Sequence, residues 1–201
     1  MRPLWYGDRR DRVKWGALFY LTTKFTLSPI IQVAFWHNET DTALDLGNDG
    51  EKTLMPRPVW DHFSDLRGIK RLGRATGKRI EVIDRPFRNE RRQEYVQDII
   101  ERFDQSSRPK LLFLDPDTGI QPDKSAGPQH ATLTDVHRFW TALHRHDVLA
   151  TYQHASRRKG WMRKKENQFS SACDGSHVSS IRSDGIAKDI AVLWARRIRD
   201  R

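Results

Sequence analysis

The stretch Leu111-Leu112-Phe113-Leu114-Asp115-Pro116-Asp117-Thr118-Gly119-Ile120-Gln121-Pro122 runs four apolar residues straight into two carboxylates. A short, continuous apolar run bounded by a turn signal reads as a strand buried on both faces, as in a parallel sheet covered by helices. Such sheets hold their ligands at the carboxyl ends of their strands. Asp115 and Asp117 therefore stand where chemistry would be expected, and three readings fit them. The two carboxylates could share one divalent cation and, with Asp84 or Glu39, support phosphodiester hydrolysis. Asp115 alone could position an amino group of a substrate base, with Pro116 shaping the turn. Or Asp117-Thr118-Gly119 is an ordinary turn and Asp115 caps the next segment.

Upstream, Val13, Ala17, Leu18 and Leu21 recur at helical spacing within residues 8–24, with Asp8 placed to cap the start. The run from Ile30 to Trp36 is β-branched and aromatic and reads as a strand, and the polar segment 37–58 that follows reads as a loop. A helix over 59–72 and a strand over 78–87 come next, the strand bringing Asp84 to its end. In residues 89–105, Tyr95, Ile99 and Phe103 form an apolar stripe, with Arg91, Arg92, Glu94 and Asp98 on the solvated side. Downstream, the segment from Thr132 opens with a Thr or Asp cap and reads as a helix, with His144 and His146 as solvated cations near its carboxyl end. Val148 to His154 is a strand, and 178–183 pairs with 187–198 as a hairpin across Asp184-Gly185. The alternation of helix and strand predicts an α/β fold in one domain spanning 1–201, its mostly parallel sheet covered on both faces. At 201 residues such a domain buries roughly 70% of its unfolded surface.

That fold gathers four strand ends at one pole: His37 to Glu39, Asp84, Asp115 to Gly119, and Tyr152 to His154. Tyr152 and His154 share a face of their strand, which brings a phenol and an imidazole together, although His154 also reads simply as a surface residue ending a strand.

Charge points to the partner class. Lys and Arg total 36 against 26 Asp and Glu, a net charge of +10, which favours a polyanion. The segment Arg157, Arg158, Lys159, Gly160, Trp161, Met162, Arg163, Lys164, Lys165 clusters cations around a stacking ring directly after the strand ending in His154. It reads either as a nucleic-acid contact, with DNA and RNA both fitting, or as a solvated basic loop. Cys173 is the single cysteine, so neither an internal disulfide nor a multi-cysteine zinc site can form. Nothing approaches the ~20 apolar residues of a membrane span, and the first residues lack the apolar stretch of a signal peptide. A cytoplasmic protein without a membrane partner is expected.

The segments YGDRRDRVKWGALFYLT (6–22), VAFW (33–36), LLFLDPDTGIQP and VLATYQH (148–154) together resemble a group of bacterial and phage proteins. That group shares a Gly-Asp, Asp, Lys helix, a Trp-bearing strand, a Leu-Asp-Pro-Asp-(Asn/Thr)-Gly strand end and Tyr-Gln-His. More distantly, the layout is similar to the ribosomal-RNA adenine-N6 methyltransferases. That resemblance implies a three-layer, Rossmann-like (methyltransferase-like) mostly parallel sheet with a C-terminal β-hairpin, and S-adenosyl-methionine as cofactor. It places Gly7, Asp8, Asp11 and Lys14 on the opening helix motif, with Asp8, Asp11, Lys14, His37 and Asp84 on the cofactor side. Asp115 and Pro116 fall on the catalytic strand end, whose Asp is the proton acceptor in that family. This chain departs from the pattern at Trp15, where the family has a cofactor-contacting His. It departs again at Asp117-Thr118, where the family has Pro-Tyr and stacks the aromatic on a flipped base.

Three functions follow. One is a nucleic-acid-acting, S-adenosyl-methionine-dependent methyltransferase-like protein, active or degenerate, centred on Asp115. A second is a Mg²⁺-dependent nuclease or phosphoester hydrolase, with Asp115, Asp117 and Asp8 on the metal and His154 as acid or base. The third is a noncatalytic nucleic-acid-binding protein on the same scaffold.

Overall fold

The computed structural model describes residues 8–35, 43–45, 52–54, 67–83, 85–122, 127–156 and 158–198. Asp8 caps the first helix, α1 (Arg9–Phe25), accepting from the backbone N–H groups of Arg10 at 2.7 Å and Asp11 at 3.0 Å. Thr26 ends it in the left-handed region (φ 53°), and Pro29 leads into β1 (Ile30–Val33). The remaining sheet strands are β4 (Ile80–Ile83), β5 (Leu111–Leu114), β8 (Val148–His154), β9 (Val178–Ser183) and β10 (Ala187–Arg196). Four more helices lie between them: α2 (Arg67–Thr76), α3 (Arg92–Asp104), α4 (Leu133–Ala142) and α5 (Trp161–Ala172). A 3₁₀ turn, Asn89–Arg91, precedes α3.

The six strands form one sheet in the order β4-β1-β5-β8-β10-β9. β4, β1, β5 and β8 run parallel, while β10 runs antiparallel to both β8 and β9. The chain starts at β1, moves out to β4, then crosses back to β5 on the other side of β1. The reversal of winding between β1 and β5 is the topological switch point of a Rossmann-like fold, and Asp115 is the first residue past β5 at that crevice.

Side chains alternate across this sheet. Leu111 and Phe113 join Ile30, Val148, Ala150, Tyr152, Ile190 and Val192 under α1 and α2, against Leu18, Leu21 and Ile69. Leu112 and Leu114 join Ile31, Val33, Leu149, Leu193 and Ala195 under α3, α4 and α5, against Val96, Ile99, Phe103, Phe139, Trp140 and Phe169. A parallel sheet buried on both faces needs such continuous apolar strands, and β5 is buried at all four positions. The expected three-layer, mostly parallel α/β sheet with a C-terminal hairpin is the fold observed.

Several boundaries differ from expectation. β1 ends at Val33 because Ala34 and Phe35 leave the ladder. The segment expected as a loop contains a short antiparallel pair, β2 (Ala43–Asp45) with β3 (Lys52–Leu54). Three-residue strands are too short to show alternation, although Asp49-Gly50 between them was a hairpin signal in the sequence. α2 is described from Arg67, and the rest of its expected span, 59–66, lies outside the described residues. A two-residue parallel bridge, β6 (Gly119–Ile120) with β7 (His130–Ala131), was not anticipated. Neither was α5, whose first turn falls in the basic segment that read either as a nucleic-acid contact or as a solvated loop. Arg92 was placed among solvated residues, yet it pairs with the buried Asp135 at 2.5 Å. Asp135 also closes a capping box with Thr132 at the start of α4, so one carboxylate holds two helix starts together. Among the described residues no helix is long and apolar enough to cross a membrane.

Candidate functional site

The alternation that builds the core also aims the polar residues. Counting in twos from Leu111 and Phe113 puts Asp115 on the α1 face, and the same parity puts Gln32, Tyr152 and His154 there. On α1, Asp11 and Lys14 are one turn apart and face inward together. All of Asp11, Lys14, Gln32 and Asp115 are buried. Lys14 Nζ lies 2.5 Å from Asp11 Oδ1 and donates to Asp115 Oδ2 at 3.0 Å, while Gln32 Nε2 donates to the same Oδ2 at 2.5 Å. Burial works to lower the Lys14 pKa, but the Asp115 and Asp11 carboxylates outweigh it and raise it well above the ordinary lysine value. The pairing favours the charged ammonium, which bridges two carboxylates.

A second group adjoins it. Arg10 Nε and Nη2 both donate to Asp189 Oδ2, at 2.9 and 2.6 Å, and His154 Nε2 lies 3.6 Å from that oxygen. The hydrogen bond from Arg10 holds the Asp189 carboxyl below the usual carboxylate range. The Tyr152 and His154 rings meet edge to face at 6.5 Å. Burial, followed by the Asp115 charge, pushes the Tyr152 phenol up, so it stays a protonated donor. Arg10 and Asp189 were not singled out in the sequence. Asp189 carries a weak signal, as an acid within the otherwise apolar opening of the last strand.

The loop after Asp115 is held from β8. Gln153, buried between Tyr152 and His154, accepts from the Ile120 N–H at 2.9 Å and donates to the carbonyls of Thr118 at 3.3 Å and His154 at 2.8 Å. Gly119 has φ +103°, and a Cβ there would come within 2.5 Å of the Gln153 amide. Only glycine fits, so the Asp-Pro-Asp-Thr-Gly and Tyr-Gln-His segments interlock. The loop is structural as well as acidic.

The structure separates the two aspartates in role. Asp115 belongs to the Lys14 network, whereas Asp117, also buried, acts electrostatically on His130 of β7. Among the described residues no three His, Cys, Asp or Glu side chains are grouped to hold a metal, and the space between Asp11 and Asp115 belongs to the Lys14 ammonium. Cys173 is fully buried, and burial pushes its thiol up, which excludes it as a nucleophile.

Of the expected cofactor-side residues, His37 and Asp84 lie outside the described residues. Asp8 is spent on capping α1, and Asp11 and Lys14 pair within the protein. Phe35 follows β1 in the left-handed region (φ 45°), fully buried and packed on Phe87 and Tyr95 at 5.3 and 5.8 Å. In dinucleotide-binding Rossmann folds the turn after the first strand uses glycine so that backbone can approach the ligand. Phe35 departs from that pattern, and residues 36–42, which continue the turn, lie outside the described residues.

The basic segment is only partly exposed to solvent. Arg158, Lys159, Arg163 and Lys164 are exposed and Trp161 is half-buried, at or near the start of α5. Arg157 lies outside the described residues. Lys165 is partly committed within the protein: its ammonium donates to the carbonyls of Ile120 at 2.8 Å and Gln121 at 2.7 Å. That tie moors the basic end of α5 to the loop that leaves Asp115.

No family model matches the chain, and none of the curated proteins matches it. Among solved structures, it is similar over 99% of its length to 98% of a release-factor-specific protein-(glutamine-N5) methyltransferase from Alicyclobacillus acidocaldarius, at 10% identity and a TM-score of 0.43. The N-methyltransferase NodS from Bradyrhizobium japonicum matches at 9% identity and a TM-score of 0.39, covering 96% of this chain and 99% of that one. A second structure of NodS, with S-adenosyl-l-homocysteine, matches at 9% identity and 0.40, covering 96% and 90%. Scores and identities this low say nothing of the reaction, and the fold assignment rests on the strand order itself.

Proposed function

We propose that the protein acts on nucleic acid at the carboxyl pole of its sheet, as a methyltransferase-like protein in which Asp115 accepts a hydrogen bond from an exocyclic amino group of a base. The observation that carries this reading is the one-sided use of Asp115. Lys14 and Gln32 both donate to Oδ2, which fixes the carboxylate, while Oδ1 has no hydrogen bond among the described residues. An acceptor oriented before its partner arrives loses little freedom on binding, which is the condition for precise recognition of an amine. The protonated Tyr152 beside it supplies a neutral donor for a ring nitrogen or carbonyl.

Exposed Arg158, Lys159, Arg163 and Lys164 supply backbone contacts, and Trp161 a partly covered stacking ring. S-adenosyl-methionine is the methyl donor implied by the likeness to the ribosomal-RNA adenine-N6 methyltransferases. The Mg²⁺ nuclease reading is disfavoured, because the buried Lys14 ammonium already pairs with Asp115, one of its two central ligands.

The test compares oligonucleotides that differ only in adenine against hypoxanthine, which lacks the amino group. A preference for adenine of about tenfold, corresponding to ~1.4 kcal/mol, is expected in fluorescence anisotropy and should disappear in Asp115→Ala. Equal binding of both oligonucleotides by the native protein would sink the amine-acceptor role. Transfer of labelled methyl from S-adenosyl-methionine in the same mixture separates an active methyltransferase from a binding protein on that scaffold.

A further inference from the structure

The arginines that follow β4 take no part in the Asp115 network. Arg85, Arg88 and Arg91, with Pro86 and Tyr95, line a cavity of about 180 Å³. Phe87 pegs this segment: it is buried and packs on Phe35 at 5.3 Å and Tyr95 at 5.1 Å, so the flanking arginines hang from a fixed point. Arg88 is exposed and makes no ion pair among the described residues. Arg85 pairs with Asp98 and Arg91 with Glu94 at 2.6 Å, in both cases with side chains 39% exposed or more. Such exposed pairs hold weakly and leave guanidinium N–H groups for a second acceptor. The cavity adjoins the start of α3, whose N-cap residue Arg91 makes no side-chain capping bond, so the positive end of that helix adds to the field.

Size and charge decide the ligand class. About 180 Å³ is smaller than the roughly 300–1,000 Å³ of sites that enclose a drug-sized molecule, and three forked cations match the oxygens of a phosphate group. We propose that this cavity binds phosphate and, resting on the nucleic-acid reading above, that the phosphate belongs to the backbone of the strand whose base reaches Asp115. β4 and β8 end at the same pole three strand spacings apart, roughly 14 Å at ~4.8 Å each. The arginine cavity lies past β4 and the basic start of α5 past β8. In strand order the two clusters stand on either side of β5, the strand that ends in Asp115, and a single strand held at both would pass that strand end.

The experiment uses the full chain, a 12-nucleotide single strand and, separately, inorganic pyrophosphate. Arg88→Gln combined with Arg91→Gln alters exposed side chains, and circular dichroism checks that the fold is intact. The double variant is expected to bind the oligonucleotide several-fold more weakly at 0.1 M salt, with a log–log salt slope shallower by about 0.7, the value of one phosphate on a single strand. It should also lose the thermal shift that pyrophosphate gives the native protein. An unchanged slope and an unchanged pyrophosphate shift in the double variant, while Arg158→Gln with Lys159→Gln weakens the oligonucleotide, would overturn the cavity and leave the nucleic-acid reading intact. A native protein that binds pyrophosphate through Arg88 and Arg91 but no oligonucleotide would keep the cavity and overturn the nucleic-acid reading.

Discussion

One ammonium, Lys14 Nζ, sits between the carboxylates of Asp11 and Asp115 with almost no water to screen them. Removing it leaves two buried acids with their shared partner gone. Lys14→Met is therefore expected to cost about 3–5 kcal/mol of stability in urea unfolding, and adding Asp115→Asn should recover part of that loss by removing one of the facing charges. His130 is a second residue whose surroundings set its charge. Burial first, and the Lys165 charge second, hold its pKa below the ordinary 6.5, and its Nδ1 accepts from the Gly127 N–H at 3.2 Å. The unfolded chain thus binds this proton more tightly than the folded protein does. The His130 contribution is present in full above pH 6.5 and is lost as pH falls below that value toward the lower folded one. Urea midpoints measured from pH 7.5 down to 5 should fall, and His130→Asn should flatten the decline.

Among the elements, the loop from Asp115 to Ile120 and the strand β8 behave as one unit because the Gln153 amide fills the space over Gly119. Gly119→Ala combines an unfavourable φ with a collision and is expected to cost about 1–3 kcal/mol. Gln153→Ala in the same chain removes the collision but leaves the backbone strain. The double variant should therefore lose less than the sum of the single losses in thermal unfolding, and strict additivity would refute the interlock. Both segments were visible in the sequence as strand ends, but their fit was not. The helix α5 went unread for a related reason. Trp161, Lys165, Phe169 and Ala172 recur at helical spacing, but Lys165 puts a charge inside the apolar stripe. That charge is tolerated because carbonyls of the neighbouring loop receive it, and a partner outside the helix leaves no trace in the helix's own periodicity.

At the scale of the whole molecule, the net charge of +10 favoured a polyanion but did not say where it would lie. The strand order puts β5 between the two basic clusters, past β4 on one side and past β8 on the other. The insertion of β10 between β8 and β9 has a separate effect. It places Asp189 within reach of His154, whose strand neighbour is Ile190, and of Arg10 on α1. The hairpin was expected from the sequence, whereas its insertion with β10 against β8 was not.

The sequence by itself determined the local pieces: the capped opening helix, the apolar strands β1, β5 and β8, the terminal hairpin, and Asp115 at a strand end. Each of these depends on periodicity, capping and turn residues that act within a dozen positions. Tertiary structure decided the company those pieces keep. Lys14 meets Asp115 across 101 residues and Arg10 meets Asp189 across 179, contacts set by strand order and by which face a helix covers. Neither is written in any local pattern, because the same strands in another order would bury the same apolar surface and bring different charges together.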